Sequence, residues 1–290
     1  MPRGNKCLPF DKGIPIRSFS RSIYGSREDL SKLFIERIYD GWSDQPLFPY
    51  ELHLSPRIMQ DFITKANGKH EPFEGNLKED PIGFLDHYRL STGAGPTIGS
   101  ALLFCEHPSE IDCGAYLRVE AYDKDRTLVH SDIVDESILS VCDTVLKRLS
   151  SIMEEHLGTA LGEAYPETVL KETVLNAAEH KDYNSIEPIT ITVFEDRIII
   201  SNPISEYQAD YLKENVIEWS NCSNVVISHA LKLITPMKGR GRGKTLIIKG
   251  CSEFGCRKPV FKTTKKKYSV TIHAKKTIDG NVTAIKKAQA

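Results

Sequence analysis

The sequence lacks any apolar segment long enough to span a membrane, and it also lacks a Cys-x-x-Cys pair. A spanning helix needs about 18 or more consecutive apolar residues, so we predict no membrane partner and a cytoplasmic protein. The seven cysteines are odd in number, which argues against a disulfide framework and against a zinc ribbon. The formal net charge is −1, so any contact with nucleic acid must come from a local basic patch.

The length of 290 residues, with 40% apolar residues, suffices for a sizeable core and predicts two domains. Breaker residues predict an irregular segment over residues 1–25, and a basic composition without core residues predicts a flexible tail over residues 275–290. Between them we expect a helical and α/β region over residues 26–157 and a second domain over residues 158–274.

Hydrophobic periodicity and capping residues predict the elements of these regions. Helices are expected over residues 26–39, from Pro56 onward, and over residues 82–90, 136–157, 167–180 and 224–233. Alternation predicts strands over residues 116–122, 189–194, 197–201, 260–263 and 268–272. Residues 97–104 are small and apolar, and periodicity alone does not decide between helix and strand there.

Three polar side chains recur at four-residue spacing along one predicted helix, at Glu172, Asn176 and His180. Residues four apart are neighbours on a helix face, and the apolar residues between them can face a core. Such a row of acid, amide and imidazole could lie over a nucleotide and its magnesium. The alternative is a solvated helix face, with His180 at a helix end where the dipole favours a cation.

A cationic glycine-rich run lies downstream and precedes another helical pattern. Its members are Gly239, Gly241, Gly243, Lys244 and Thr245. Glycine lets backbone N–H groups cradle a phosphate, and the N-terminus of the following helix favours an anion. A flexible basic loop that contacts nucleic-acid phosphates fits the same residues. A P-loop does not fit, because Lys238 stands where that motif requires its first glycine.

Four motifs together resemble a known family: Glu-x-x-x-Asn-Ala, His-x-Asp-Tyr, a hairpin ending Ile-Ser-Asn-Pro, and a later Gly-x-Gly. They are similar to the GHKL (Bergerat-fold) ATP-binding domain, in the variety of Schlafen AlbA and RecG-C-terminal-like transcriptional regulators. The resemblance covers roughly residues 165–274. It implies an α/β fold, a two-layer α/β sandwich with a mixed sheet, preceded by a smaller α/β region. Residues 1–80 are either a complete domain or a truncated AlbA-type remnant.

The resemblance implies ATP and Mg²⁺ as cofactors and gives roles to individual residues. Glu172 matches the acid that orients or deprotonates the attacking water in active members. Asn176 matches the Mg²⁺ ligand, and Asn202 falls where related ATPases hold the adenine amino group with an aspartate. The implied nucleotide-binding set is completed by His180, by the glycine box at Gly239, Gly241 and Gly243, and by Lys244 and Thr245.

The implied function is ATP-binding regulation linked to transcription or to other nucleic-acid processes. Weak ATPase activity stays open, and the expected partners are a nucleotide, nucleic acid at a local basic patch, and a second copy of the chain. One departure supports an alternative, because Pro203 is followed by Ile204-Ser205-Glu206 where the family has glycines. A degenerate GHKL fold would then act as a protein- or nucleic-acid-binding scaffold without ATP turnover.

Overall fold

The structure is a computed structural model that describes residues 15–18, 21–24, 43, 45–47, 54–66, 68, 70–92, 95–214, 224–234 and 243–275. Its strands are β1 (Pro15–Ser18), β2 (Arg21–Tyr24), β3 (Ser91–Thr92), β4 (Gly95–Pro96), β5 (Leu117–Tyr122), β6 (Leu128–Val134), β7 (Ile189–Phe194), β8 (Arg197–Pro203), β9 (Val260–Thr263) and β10 (Lys267–His273). Its α-helices are α1 (Pro56–Ala66), α2 (Pro81–His87), α3 (Ile98–Phe104), α4 (Val141–Ile152), α5 (Leu161–Ala164), α6 (Glu167–His180), α7 (Glu206–Glu214), α8 (Val225–Ile234) and α9 (Gly243–Phe254).

A six-stranded sheet in the order β6-β5-β7-β8-β10-β9 forms one layer of the molecule. Strands β5 and β7 are parallel, and the other neighbouring strands are antiparallel. Along β5 and β7, buried residues alternate with half-buried ones, so one face of the sheet carries the core. Helix α6 packs on β8, and α4 and α9 flank α6. The predicted two-layer α/β sandwich with a mixed sheet is confirmed.

The sheet extends across the boundary that we predicted between residues 157 and 158. Strand β5 pairs in parallel with β7, with Val119 opposite Ile191. A parallel pair requires a long crossover connection, and here that connection contains β6, α4 and α6. Strands β5 and β6 therefore belong to the same sheet as the strands of the predicted second domain.

The segment over residues 1–25, predicted to be irregular, contains the antiparallel pair β1 and β2. Ile16 lies opposite Ile23 in this pair. The prolines suggested a loop, but a proline at the first residue of a strand, as at Pro15, is compatible with pairing. The helix predicted over residues 26–39, and the predicted tail beyond Lys275, lie outside the described residues.

Residues 97–104, which periodicity left undecided, form helix α3. Thr97 is the N-cap, and its hydroxyl accepts a hydrogen bond from the backbone N–H of Ser100. The backbone N–H of Thr97 in turn donates to the hydroxyl of Ser100. This reciprocal capping box fixes the start of the helix and is the local signal that distinguishes it from a strand.

The long helix predicted over residues 136–157 is divided. Helix α4 begins only at Val141. Ahead of it the chain turns, with the N–H of Ser140 donating to the carbonyl of Ser137 and the hydroxyl of Ser137 donating to the carbonyl of Leu103. After α4 the chain forms a single π-helical turn over Met153–Leu157. Gly158 ends that turn in the left-handed conformation, at φ 63°. Among the described residues, no helix has the length and apolar character needed to cross a bilayer.

Helices α1, α2 and α3 join the same hydrophobic core through an aromatic cluster. The ring of Phe62 contacts the rings of Phe84, Tyr88 and Phe104 edge-to-face, with centroids 6.0, 5.1 and 5.5 Å away. Helix α8 packs on α1 and α3. This packing places the end of α2, at Tyr88, beside α8.

Helices α6 and α9 run antiparallel at close range, because glycines of α9 face α6 at two points. A Cβ on Gly250 would lie 2.5 Å from Cγ2 of Val169, and a Cβ on Gly243 would lie 2.7 Å from Oδ1 of Asn176. The two glycines are seven residues apart, as are their partners, so the same helix faces meet over about two turns.

We expect Gly250→Ala to lower the free energy of unfolding by about 1–2 kcal/mol, although alanine is the better helix former. The added methyl group has no space against Val169. In a Val169→Ala background that space exists, so Gly250→Ala should raise the free energy of unfolding instead. Urea unfolding of the four proteins of this double-mutant cycle measures the change of sign. An equal effect in both backgrounds would contradict the contact.

Candidate functional site

Helix α6 carries the predicted acid and amide on the side that faces α9. Glu172 and Asn176 are half-buried there, next to residues that the helix packs into the core. The side-chain Nδ2 of Asn176 donates to the backbone carbonyl of Glu172 at 2.7 Å and to its Oε1 at 2.9 Å. Because both amide hydrogens are used in this way, Oδ1 of Asn176 is the atom available to coordinate a cation.

Burial raises the pKa of the Glu172 carboxyl, the hydrogen bond from Asn176 opposes that rise, and Glu179 adds to it. A carboxylate with a raised pKa is a stronger base toward water. Its orientation is fixed by the amide of Asn176. The pair can therefore hold a water molecule and accept its proton.

Helix α9 begins directly beside this pair. A Cβ on Gly243 would lie 2.7 Å from Oδ1 of Asn176, 2.8 Å from its Nδ2 and 3.0 Å from Oε1 of Glu172. The first N–H groups of a helix have no partner within the helix and carry the positive end of its dipole. The structure thus brings Glu172, Asn176 and Gly243 together, and it sets the N-terminus of α9, where an anion is favoured, beside the carboxamide of Asn176. Gly239 and Gly241 lie outside the described residues.

Lys244, which follows Gly243, lies at the edge of the sheet. Nζ of Lys244 lies 5.0 Å from the ring centroid of Phe261 in β9, a cation–π contact. Thr245 is exposed on the first turn of α9. The ammonium of Lys244 therefore adds positive charge where α9 crosses the edge of the sheet.

Asn202 and Tyr268 lie side by side on the face of the sheet that the helices cover. Asn202 is 2% exposed, and strand alternation places it on the same face as Ile198 and Ile200. Its Nδ2 donates to the carbonyl of Pro203 at 3.2 Å, so Oδ1 is the atom of this side chain that can accept a hydrogen bond from a ligand.

Tyr268 is directly opposite Asn202 in the register of β8 and β10. Burial raises the pKa of Tyr268 to about 12, so the phenol stays protonated at neutral pH. Tyr268 was not among the candidate residues predicted from the sequence. Its alternation with Val270 and Ile272 was the signal that could have placed it on this face.

The segment after Pro203 enters helix α7 at once. The N–H of Ser205 donates to Oε1 of Gln208 at 2.8 Å, and the N–H of Gln208 donates to Oγ of Ser205 at 3.1 Å. This is a capping box, and Ile204 beside it is 3% exposed. Buried side chains therefore occupy the stretch where the related family has glycines.

The last carbonyl groups of α6 accept hydrogen bonds from side chains of distant segments. Asn224, which precedes α8, donates through Nδ2 to the carbonyls of Glu179 and Lys181, at 2.9 Å each. Gln208 of α7 donates to the carbonyl of His180 at 3.3 Å. Both α7 and α8 therefore fix the end of the helix that carries the acid and the amide.

His180 lies at that end of α6, one turn beyond Asn176. Burial lowers the pKa of His180, so its imidazole is neutral near pH 7. A neutral ring gains little from the helix dipole, which weakens the alternative interpretation as a cationic helix end. Since α9 starts beside Asn176 and runs toward the start of α6, it packs on the turns before His180. A nucleotide contact of His180 stays a prediction.

Magnesium fits the donors that are present. The described residues contain no group of three or more His, Cys, Asp or Glu side chains that could hold a metal ion alone. Mg²⁺ keeps several waters and binds through one or two protein oxygens plus substrate phosphates. Oδ1 of Asn176, beside the N-terminus of α9, satisfies that requirement.

Residues 187–272 match the family model described as "Putative ATP-dependent DNA helicase recG C-terminal". The matched range contains Asn202 and Gly243 but starts after α6. The predicted resemblance is confirmed by this match. No curated protein matches the chain.

A solved structure, that of the DIP2311 protein from Corynebacterium diphtheriae, matches with a TM-score of 0.61 and 16% identity, over 80% of this chain and 40% of that one. At this identity the similarity shows the fold alone. The chain spans less than half the length of that protein.

Proposed function

We propose that the chain binds ATP with Mg²⁺ between α6, the N-terminus of α9 and the sheet face at β8 and β10, because residues 187–272 match a RecG C-terminal-like, ATPase-type family model. The observation that carries the proposal is the approach of Gly243 to the Glu172–Asn176 pair, at 2.7 to 3.0 Å for an added Cβ. This contact places the N-terminus of α9, which favours an anion, beside Oδ1 of Asn176 as the proposed cation ligand and the carboxylate of Glu172 as the proposed base.

Each group has a role that follows from its position. Oδ1 of Asn176 holds the cation, and the first N–H groups of α9 bind phosphate oxygens. When bound, Mg²⁺ supplies positive charge that neutralises the phosphates. Oδ1 of Asn202 accepts a hydrogen bond from the adenine amino group, with Tyr268 beside it. Glu172 orients a water molecule at the phosphate end and accepts its proton, which would give slow hydrolysis.

The nucleotide-binding unit that we propose begins at Leu117, not at residue 158, because β5 and β6 complete its sheet. We further propose that nucleotide binding serves a regulatory role linked to nucleic acid. Its support is the family description, which names a DNA helicase. Transcriptional regulation and a homodimer rest on the sequence resemblance alone.

A second candidate function is a scaffold of the same fold that binds protein or nucleic acid without turning over ATP. The observation that favours it is the capping box after Pro203, with Ile204 and Gln208 buried where the family has glycines. Glycines would let the adenine ring approach the backbone closely, and this chain has no glycine at these positions.

Titration of the protein with a fluorescent ATP analogue, with and without Mg²⁺, tests the proposal. We expect saturable binding that requires Mg²⁺ and that unlabelled ATP displaces. Glu172→Gln should keep this binding and lose any release of phosphate, because the amide preserves the shape of the side chain but cannot accept the proton. Calorimetry with ATP and with DNA separates the candidates: heat from DNA and none from Mg²⁺-ATP would establish the scaffold instead.

A further inference from the structure

Helix α2 ends in a left-handed residue that is an arginine. Arg89 has φ 56°, its N–H donates to the carbonyl of Asp86 at 3.0 Å, and the N–H of Leu90 donates to the carbonyl of Leu85 at 2.7 Å. These two bonds define a Schellman motif, in which glycine is the usual left-handed residue. A side chain there costs roughly 1–2 kcal/mol. The position of Arg89 is therefore one at which glycine would be the less strained residue.

His229 of α8 contacts the same turn. Its Nε2 lies 3.1 Å from the backbone carbonyl of Tyr88, the residue before Arg89. A carbonyl only accepts hydrogen bonds, so Nε2 of His229 carries a hydrogen. In the neutral ring Nδ1 is then an acceptor, and it becomes a donor only when the ring is protonated.

One further cation, Lys232, and a second imidazole, that of His70, are electrostatic neighbours of His229. Lys232 is three residues further along α8, hence on the same face, and its Nζ is held by Oγ of Ser228 at 2.7 Å. The ring of His70 is 6.1 Å from the ring of Tyr88. Burial lowers the pKa of His229, the hydrogen bond to Tyr88 opposes this, and His70, Lys232 and Arg89 lower it further.

No carboxylate in the described part of the chain forms an ion pair with these four side chains. Arg89 and Lys232 are both exposed, so a ligand can reach them. Positive charge is thus concentrated around the half-buried imidazole of His229, and the left-handed Arg89 lies beside it.

We propose that Arg89, His229 and Lys232, with His70 at the edge, bind a phosphate group. The guanidinium of Arg89 and the ammonium of Lys232 donate to the phosphate oxygens. Protonated Nδ1 of His229 donates a third hydrogen bond, so binding takes up a proton. The site lies on α2 and α8, which contribute no residue to the proposed nucleotide site. The phosphate belongs either to inorganic phosphate and small phosphate esters or to the backbone of a nucleic acid.

The proton uptake gives a direct readout by NMR of the histidine side chains in the full chain. Inorganic phosphate, added at constant ionic strength, is expected to raise the pKa of His229, whose signal is assigned by its loss in His229→Gln. Glu172→Gln and Asn176→Ala should leave this effect unchanged, so the result does not depend on nucleotide binding.

Arg89→Gly tests the arginine without a risk to folding, because glycine relieves the backbone strain. We expect this variant to be at least as stable as the parent and to bind phosphate about tenfold more weakly. Arg126→Gly is the matched control. Arg126 is also left-handed, at φ 62°, and lies in the connection between β5 and β6, so phosphate binding should not change.

A short single-stranded DNA oligonucleotide distinguishes the two sources of phosphate. If it displaces phosphate from His229, and Arg89→Gly weakens it too, the ligand is a nucleic-acid backbone. If inorganic phosphate raises the pKa of His229 and the oligonucleotide has no effect, the ligand is a small phosphate compound. The proposal is overturned if neither ligand changes the pKa of His229, or if Arg89→Gly binds phosphate as tightly as Arg126→Gly.

Discussion

Asn176→Ala is expected to weaken Mg²⁺-dependent ATP binding by about a hundredfold and to leave the fold intact. The substitution removes the oxygen that we assign to the cation. It also removes both hydrogen bonds from Nδ2 to Glu172, so the carboxylate loses its orientation. Alanine is a good helix former and the side chain is only half-buried, so α6 should persist. Titration with the fluorescent ATP analogue, with and without Mg²⁺, measures the loss.

Asn184→Ala provides a matched control for this result. Asn184 is exposed just beyond the end of α6, and its amide contacts only Asp182 among the hydrogen bonds of the described residues. The same chemical change there should leave nucleotide affinity as in the wild type. Equal affinities for Asn176→Ala and Asn184→Ala would remove the assigned cation ligand from the proposal.

Lys181→Met is expected to remove a large pH dependence of stability. Lys181 is 1% exposed, and burial lowers its pKa from 10.5 to about 8. Among the described residues its Nζ donates to two backbone carbonyls, those of Asp182 at 3.1 Å and Ser185 at 2.9 Å, and it lies 4.7 Å from the ring centroid of Tyr183. Carbonyl groups do not compensate for the loss of hydration as a carboxylate would.

The sign of the effect follows from proton binding. Between pH 8 and pH 10.5 the unfolded chain holds the proton of Lys181 and the folded chain does not. The free energy of unfolding therefore rises with pH across this interval. Across this interval the free energy of unfolding of the wild type should rise by about 3 kcal/mol relative to that of Lys181→Met, at 1.36 kcal/mol per pKa unit.

Urea unfolding at a series of pH values measures this difference. Lys171→Met is the control, because the hydrogen bond to Asp143, at 2.9 Å, raises the pKa of Lys171 instead of lowering it. Over the same pH interval, the free energy of unfolding of the wild type should not rise relative to that of Lys171→Met. Parallel pH curves for the wild type and Lys181→Met would show that Lys181 is not a buried charge.

The elements that the sequence predicts well are those with a strong local pattern. The β7–β8 hairpin, the β9–β10 hairpin and helix α6 all occur where alternation or helical spacing predicted them. Strand β6 was not predicted, because Leu128, Val129 and Ile133 are exposed at the edge of the sheet. Its strand structure depends on pairing with β5, which is not a local property. Helix α7 was missed although Ser205 and Gln208 have the spacing of a capping box.

In the candidate site, too, the features that depend on local geometry are predicted from the sequence and those that depend on tertiary packing are not. The spacing of Glu172 and Asn176 on one helix face is visible in the sequence, because it depends only on helix geometry. The approach of Gly243 is not, because it depends on how closely α6 and α9 pack at Gly250. The opposition of Asn202 and Tyr268 likewise depends on the register of two strands. The placement of the remaining predicted glycines stays a prediction.

The continuity of the sheet across residues 157 and 158 limits where the chain can be divided. A fragment that starts at residue 158 would lack β5, and β7 would become an edge strand with unsatisfied N–H and C=O groups along its length. Such an edge pairs readily with other chains, so this fragment would tend to aggregate. A fragment for studies of ligand binding must therefore keep β5 paired with β7, and it must also keep α1 and α3, because α8 packs on them.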